Sequence, residues 1–127
     1  MRTTGLLLAG ALLSLAAGGA VPAQDPVKAA PATHKVLLEN DQVRVLDIHV
    51  PARGRALMHS HPTGYVAVAM TDCRMRFTYP GGKSSETTLH AGDVVWSDPV
   101  THSAENLGAS ECHVLNVEPK AAQGAKK

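Results

Sequence analysis

Two histidines separated by one residue, His59 and His61, are the residues whose type and spacing most clearly favour a chemical role. On a β-strand, side chains two positions apart leave the same face, so both imidazoles would point in one direction. Pro62 favours an extended backbone at His61, which supports this geometry. Two imidazoles on one face can chelate a transition-metal ion if a third ligand comes from elsewhere. By itself the pair is a weak signal, and two polar residues at a strand edge are the alternative.

The elements that must position these histidines are short strands. From Lys35 onward, runs of β-branched and apolar residues alternate with turn residues, mainly Gly, Pro, Asn and Asp. The clearest runs are residues 43–50, 56–61, 65–70, 74–79, 94–97 and 112–117. No window of helical length has a sustained apolar stripe. About nine short strands at regular spacing predict an all-β fold, either a sandwich or a barrel.

The chain is expected to divide into four parts. Residues 1–23 have a basic start, an uncharged run rich in Leu and Ala, and the small residues Val21-Pro22-Ala23. This combination is typical of a secretory signal peptide cleaved after Ala23. The apolar run is shorter than the ~20 residues of a membrane span. The other parts are a flexible lead-in at 24–34, one folded domain at 35–119 and a disordered tail at 120–127. We therefore expect export to the periplasm or the medium.

Composition argues against several classes of partner. The 12 Lys and Arg residues nearly balance the 11 Asp and Glu residues, and no basic cluster is present. This balance disfavours nucleic acids and anionic membrane surfaces as partners. One Trp, two Tyr and one Phe are too few for a surface on which bases stack.

The third ligand candidate is His102, and here the sequence resembles a known family. Gly54 is followed by four residues and then the His59-Ser60-His61 triplet. Later in the chain come Gly92, Pro99, His102 and Asn106. These two segments resemble the paired motifs of the cupin superfamily, and the resemblance extends over about residues 37–119. It implies a jelly-roll barrel, also called a double-stranded β-helix.

The resemblance also implies a metal site. His59, His61 and His102 would lie inside the barrel, near one mouth, and bind the ion. Many cupins have a glutamate four residues after the second histidine, but this chain has Tyr65 there. A phenol with a pKa near 10 is a poor ligand at neutral pH, so Tyr65 is instead a candidate for a hydrogen bond or proton relay. Three imidazoles suit iron, zinc, manganese, nickel or copper, and an unperturbed imidazole pKa near 6.5 predicts that the metal affinity falls below about pH 6.

Three functions stay open on these residues. The first is a metal-dependent oxygenase or isomerase that acts on a small molecule. The second is a non-catalytic cupin that binds a small molecule without a functional metal. The third, a purely structural domain, is the weakest because the three histidines occur where a metal site needs them. Cupins commonly pair through their sheets, so the resemblance also implies a homodimer.

The other histidines and the cysteines give weaker signals. His49, His90 and His113 are interpreted as structural or exposed, and His34 falls in the lead-in without a signal. The resemblance implies that Cys73 and Cys112 meet, because Cys73 follows one strand and Cys112 opens its antiparallel neighbour. An even cysteine count in an oxidising compartment fits a disulfide. The alternative is two separate buried thiols.

Overall fold

The described part of the chain consists mainly of β-strands, in which successive side chains point to opposite faces. A computed structural model describes residues 24–121. In the described range, one short helix precedes nine strands: α1 Pro26–Ala29, β1 His34–Glu39, β2 Val43–Val50, β3 Arg55–His61, β4 Tyr65–Ala69, β5 Cys73–Thr78, β6 Ser84–Leu89, β7 Val94–Ser97, β8 Val100–Asn106 and β9 Cys112–Pro119. No helix in this range is long and apolar enough to cross a membrane.

The strands form two antiparallel sheets that face each other. The five-stranded sheet has the order β1-β2-β9-β4-β7, and the four-stranded sheet has the order β3-β8-β5-β6. From β2 to β5 and from β6 to β9, successive strands alternate between the sheets, which is the winding of a jelly roll. The predicted all-β jelly-roll fold is therefore confirmed.

The core between the sheets follows from the period of two along each strand. On β2, Leu46, Ile48 and Val50 are buried, whereas the residues between them face outward. They pack in one cluster with Met75 of β5. A disulfide joins Cys73 of β5 to Cys112 of β9 and so links the two sheets at the edge of this cluster. The cysteine pairing that the resemblance implies is present.

Residues 24–34, which we expected to form a flexible lead-in, make contacts with the rest of the domain. Asp25 caps α1 by accepting hydrogen bonds from the backbone N–H groups of Val27 and Lys28, and its carboxylate pairs with Arg44. The backbone N–H of Ser60 donates to the carbonyl of Gln24 at 2.7 Å. Burial of Ala30 and of the residues at 33 and 34 holds the segment on the domain. The contacts with Arg44 and Ser60 join the segment to the rest of the domain.

The chain ends were expected to carry a signal peptide and a disordered tail. The expected signal peptide, residues 1–23, and the tail from residue 122 lie outside the described residues. The backbone N–H of Lys120, a residue that we assigned to the tail, donates to the carbonyl of Gln42 at 2.8 Å. Its ammonium group also lies 3.0 Å from Glu39. Both contacts join Lys120 to the domain.

Candidate metal centre

His59 and His61 point into the barrel from β3, and each is only 2% exposed. The pairing of β3 with β8 shifts register between Ala56 and His59. An extra residue in one strand re-aims the side chains that follow it. As a result both Ala56 and His59 are buried although three positions separate them. The irregularity thus lets the apolar start of β3 contribute to the core while its end presents the two histidines.

His102 meets this pair from the neighbouring strand. It lies on β8 directly opposite His59. The ring centroids of His59 and His102 are 5.0 Å apart, those of His61 and His102 are 5.4 Å apart, and those of His59 and His61 are 4.9 Å apart. Phe77 stacks on the His102 ring with a centroid distance of 4.8 Å, which holds its plane. The fold therefore brings the rings of the three motif histidines close together. His102 is, however, not in the group of three residues whose ligand atoms all lie within 4.8 Å of one another.

A fourth histidine, His34, joins the cluster and was missed in the sequence. It is the first residue of β1, is 3% exposed, and its ring centroid lies 4.5 Å from that of His59. One ring nitrogen from each of His34, His59 and His61 lies within 4.8 Å of the others. The available signal was the Asp25-Pro26 pair, a helix cap followed by proline, which indicates a folded segment. No spacing rule links His34 to the other three.

Hydrogen bonds fix the orientation of three of these rings through Nδ1. The Nδ1 of His59 lies 2.6 Å from the carbonyl oxygen of Leu57, and a carbonyl only accepts, so Nδ1 carries the proton. The Nδ1 of His61 bonds the carboxylate of Glu118 at 2.8 Å. The Nδ1 of His34 bonds the Thr33 hydroxyl at 2.9 Å. This leaves Nε2 as the nitrogen available to an ion, the arrangement typical of metal-binding histidines.

Burial favours the neutral form of His34, His59 and His102. Loss of hydration is the largest effect and lowers the pKa of His34 to about 3, that of His59 to about 4 and that of His102 to about 3. Neighbouring histidines lower these values further, because each positive ring repels the next. The rings can therefore accept a metal at lower pH than the unperturbed value near 6.5 implies.

Tyr65 lies beside the cluster, in the place where many cupins have a glutamate. It is 6% exposed, and its ring centroid is 4.5 Å from that of His61. Burial raises the pKa of its hydroxyl, so the phenol stays protonated and able to donate a hydrogen bond. The nearest carboxylate to the histidines is that of Glu118, which contacts the far nitrogen of His61. Tyr65 therefore suits contact with a small molecule better than contact with an ion.

The histidines border a cavity of about 340 Å³ between the sheets. Its walls are mostly apolar, with Ile48, Met75 and Phe77 among them, and Tyr65 and Asn116 add polar groups. A space of this size and composition fits a small organic molecule. The cavity therefore has a polar, histidine-rich end, and the rest of its wall is mainly apolar.

The other motif residues support the fold. Asn106 is 1% exposed, and its amide donates to the carbonyl oxygens of Val50 and Ser110 at 3.0 and 2.8 Å. Its side-chain oxygen accepts from the backbone N–H of Gly108 at 2.9 Å. Gly92 has φ of 92°, a conformation that favours glycine. These residues hold the turns that place β8 and its histidine.

Solved structures similar to this chain were found, whereas no family model and no curated protein matches it. A cupin domain from Bordetella pertussis is 28% identical, covers 69% of this chain and 92% of its own length, and superposes with a TM-score of 0.64. A protein with a double-stranded β-helix domain from Klebsiella pneumoniae is 23% identical, covers 74% and 84% of the two chains, and has a TM-score of 0.56. A Cupin 2 conserved barrel domain protein from Salinispora arenicola is 21% identical, covers 70% and 75%, and has a TM-score of 0.53.

These matches agree with the observed winding of the sheets. The Klebsiella and Salinispora proteins show the shared fold. The Bordetella domain adds sequence similarity over nearly its whole length. Together with the two histidine motifs gathered inside a jelly roll, they show that this chain belongs to the cupin superfamily.

Proposed function

We propose that the protein is an exported single-domain cupin that binds a divalent transition metal inside its barrel. His59, His61 and His102 are the proposed ligands. The observation that carries the proposal is the buried cluster of imidazoles, with Nδ1 of His59 and His61 already engaged by fixed acceptors. The histidines line the cavity, where an ion could reach the free nitrogens of their rings. A divalent metal ion would contact several rings at once.

His34 is the proposed fourth ligand. Its ring nitrogen belongs to the same group of donor atoms as those of His59 and His61. It would occupy part of the coordination shell that a glutamate supplies in many cupins. All four imidazoles are neutral ligands, so the bound ion would keep more of its positive charge than in a site with a carboxylate ligand. An anionic or strongly polar oxygen on the small molecule would then be favoured next to the ion.

The chain's own residues suit a small molecule that enters the cavity. A bound divalent ion would act as a Lewis acid towards an oxygen atom of that molecule. Tyr65 would donate a hydrogen bond to it, and the apolar walls would exclude water. If the protein is an enzyme, these features favour a metal-dependent oxygenase or isomerase.

A non-catalytic binding module without a functional metal is the second candidate. The observation that favours it is Tyr65 at the position of the usual glutamate. In that case the cavity alone would hold the small molecule, and the histidines would be polar contacts. Metal analysis separates the two candidates before any substrate is known.

Metal content tests the proposed site directly. Protein purified without a histidine tag, loaded with Zn²⁺ or Fe²⁺ and dialysed, is expected to hold one ion per chain more than His102→Ala. Tyr65→Phe should match the wild type, because Tyr65 is not a ligand. His90→Gln removes an exposed histidine outside the cluster and serves as the matched control. Equal metal content in wild type and His102→Ala would overturn the proposed site.

We also propose that two copies pair through the five-stranded sheet. Its outer face carries a row of apolar side chains opposite one another across all five strands: Leu38, Val45, Val117, Val66 and Trp96. Leu38 is 49% exposed and Trp96 is 61% exposed. Burying such a row between two copies removes apolar area from water.

Light scattering after size exclusion tests this pairing. We expect the wild type to be a dimer at tens of micromolar and Val66→Glu to be a monomer, because the charge would be buried at the centre of the row. Thr88→Glu places the same charge on an exposed position of the other sheet and should leave the dimer intact. A monomeric wild type at that concentration would contradict the proposal.

A further inference from the structure

A second cluster of potential metal ligands lies on the outside of the five-stranded sheet. Asp47 and His49 are two residues apart on β2, so both side chains leave its outer face. His113 of β9 lies directly opposite His49 in the strand pairing. The inner faces of the same strands carry Ile48 and Val114, which pack in the core. The register of β2 and β9 therefore brings three ligand side chains together on a surface remote from the cavity.

The donor atoms of this cluster converge. The Nε2 of His49 is 3.1 Å from one carboxylate oxygen of Asp47, and the Nε2 of His113 is 2.6 Å from the other. One donor atom from each residue lies within 4.8 Å of the others. The two rings are stacked, with centroids 4.0 Å apart and planes at 16°. Both rings therefore present the same nitrogen to one carboxylate.

A fourth residue orients the cluster from behind. The Nδ1 of His49 lies 2.7 Å from a carboxylate oxygen of Glu111. A carboxylate on the far nitrogen of a histidine fixes the ring and strengthens it as a metal ligand. Asp47 is 20% exposed, His113 is 26% exposed and His49 is 41% exposed at the side chain, so in a single chain an ion can reach all three from solvent. The cluster is thus both supported and accessible.

We propose that Asp47, His49 and His113 form a second binding site for a divalent transition metal, separate from the barrel histidines. Two imidazole nitrogens and one carboxylate oxygen are the ligands of many zinc sites, and they also suit Cu²⁺ and Ni²⁺. The ion would lie among the two Nε2 atoms and an Asp47 oxygen, in place of the hydrogen bonds that now join them. Three protein ligands leave a position for water or for a donor from another molecule.

This site stands independently of the barrel site. Its residues face away from the cavity, and none of them lines it. His113 and Glu118, the residue that contacts His61, are five positions apart on β9, which corresponds to roughly 17 Å along an extended strand. The alternative is a purely structural network of hydrogen bonds between the histidines and Asp47.

Zinc titration of metal-free, tag-free protein by calorimetry tests the outer site. We expect two classes of binding site in the wild type. His113→Gln should lose one class, with at least a tenfold loss of affinity, whereas His102→Ala should lose the other. His90→Gln, a control outside both clusters, should keep both. If His113→Gln binds zinc as the wild type does, the outer site is overturned, whatever happens at the barrel histidines.

Nuclear magnetic resonance keeps the test valid even if His113→Gln folds poorly. Zinc added to His102→Ala should shift the imidazole nitrogen signals of His49 and His113 and leave that of His90 unchanged. Unchanged signals of His49 and His113 at saturating zinc would leave the hydrogen-bonded network as the correct description. If the wild type binds zinc at the outer site but not at the barrel histidines, that result would count against the proposed function and not against the outer site.

Discussion

Saturating metal is expected to raise the melting temperature of His113→Gln, which lacks the outer site, by roughly 10–20 °C. An ion at a hundred times its dissociation constant stabilises the native state by about 2.7 kcal/mol. For a domain of 60–100 residues, each kcal/mol corresponds to about 4–8 °C. The effect requires the ion to bind only the folded protein, in which the strands hold the histidines together. Differential scanning fluorimetry with and without metal measures it.

Variants within this background assign the effect to individual side chains. Adding His102→Ala should remove most of the rise, since it opens the coordination shell while His59 and His61 stay on β3. His34→Ala should reduce the rise if His34 is a fourth ligand. Tyr65→Phe should preserve it. The barrel site is contradicted if the melting temperature responds alike with and without His102 to iron, zinc, copper, nickel and manganese.

Loss of the disulfide is expected to reduce the free energy of unfolding by about 3–4 kcal/mol. Cys73 and Cys112 are 39 positions apart, so the bridge removes much of the freedom of the unfolded chain. Both residues are buried at the edge of the core, where β5 and β9 of opposite sheets meet. The double variant Cys73→Ala/Cys112→Ala should therefore unfold at much lower urea concentration than the wild type.

Reduction supplies the control for this prediction. Wild type unfolded in urea with a reductant should match the unreduced double variant, whereas the unreduced wild type should stay more stable. Titration of the unfolded, unreduced wild type should find no free thiol. A difference in the free energy of unfolding below about 1 kcal/mol between the unreduced wild type and the double variant would show that the bridge does not contribute as described. Two titratable thiols in the wild type would show the same.

The fold could be predicted from sequence because local signals agree with one another. Apolar residues alternate along β2 and β5, turn residues separate the strands, and the two motifs place His59, His61 and His102. Each signal lies within a few residues of the element it describes. The cysteine pairing followed once the order of the strands was implied.

The rest of the site depends on contacts between distant residues. His34 joins the cluster because the N-terminal segment is anchored to β2. The anchor is the pairing of Asp25 with Arg44 of β2, 19 residues later in the chain. The Ala- and Pro-rich composition of this segment suggested a flexible lead-in, and composition carries no record of such a contact. His49 and His113 are likewise 64 residues apart, and only the register of β2 with β9 makes them neighbours. The sequence-based interpretation of these two residues as structural or exposed therefore missed their common position beside Asp47.

Anomalous X-ray diffraction from crystals grown with Zn²⁺, recorded on both sides of the zinc absorption edge, tests the central claim most directly. We predict a peak inside the barrel about 2.0–2.1 Å from Nε2 of His59, His61 and His102, and the distance to His34 will show whether it is the fourth ligand. Crystals that contain zinc elsewhere or not at all, with no anomalous peak among these histidines, would contradict a metal centre in the barrel.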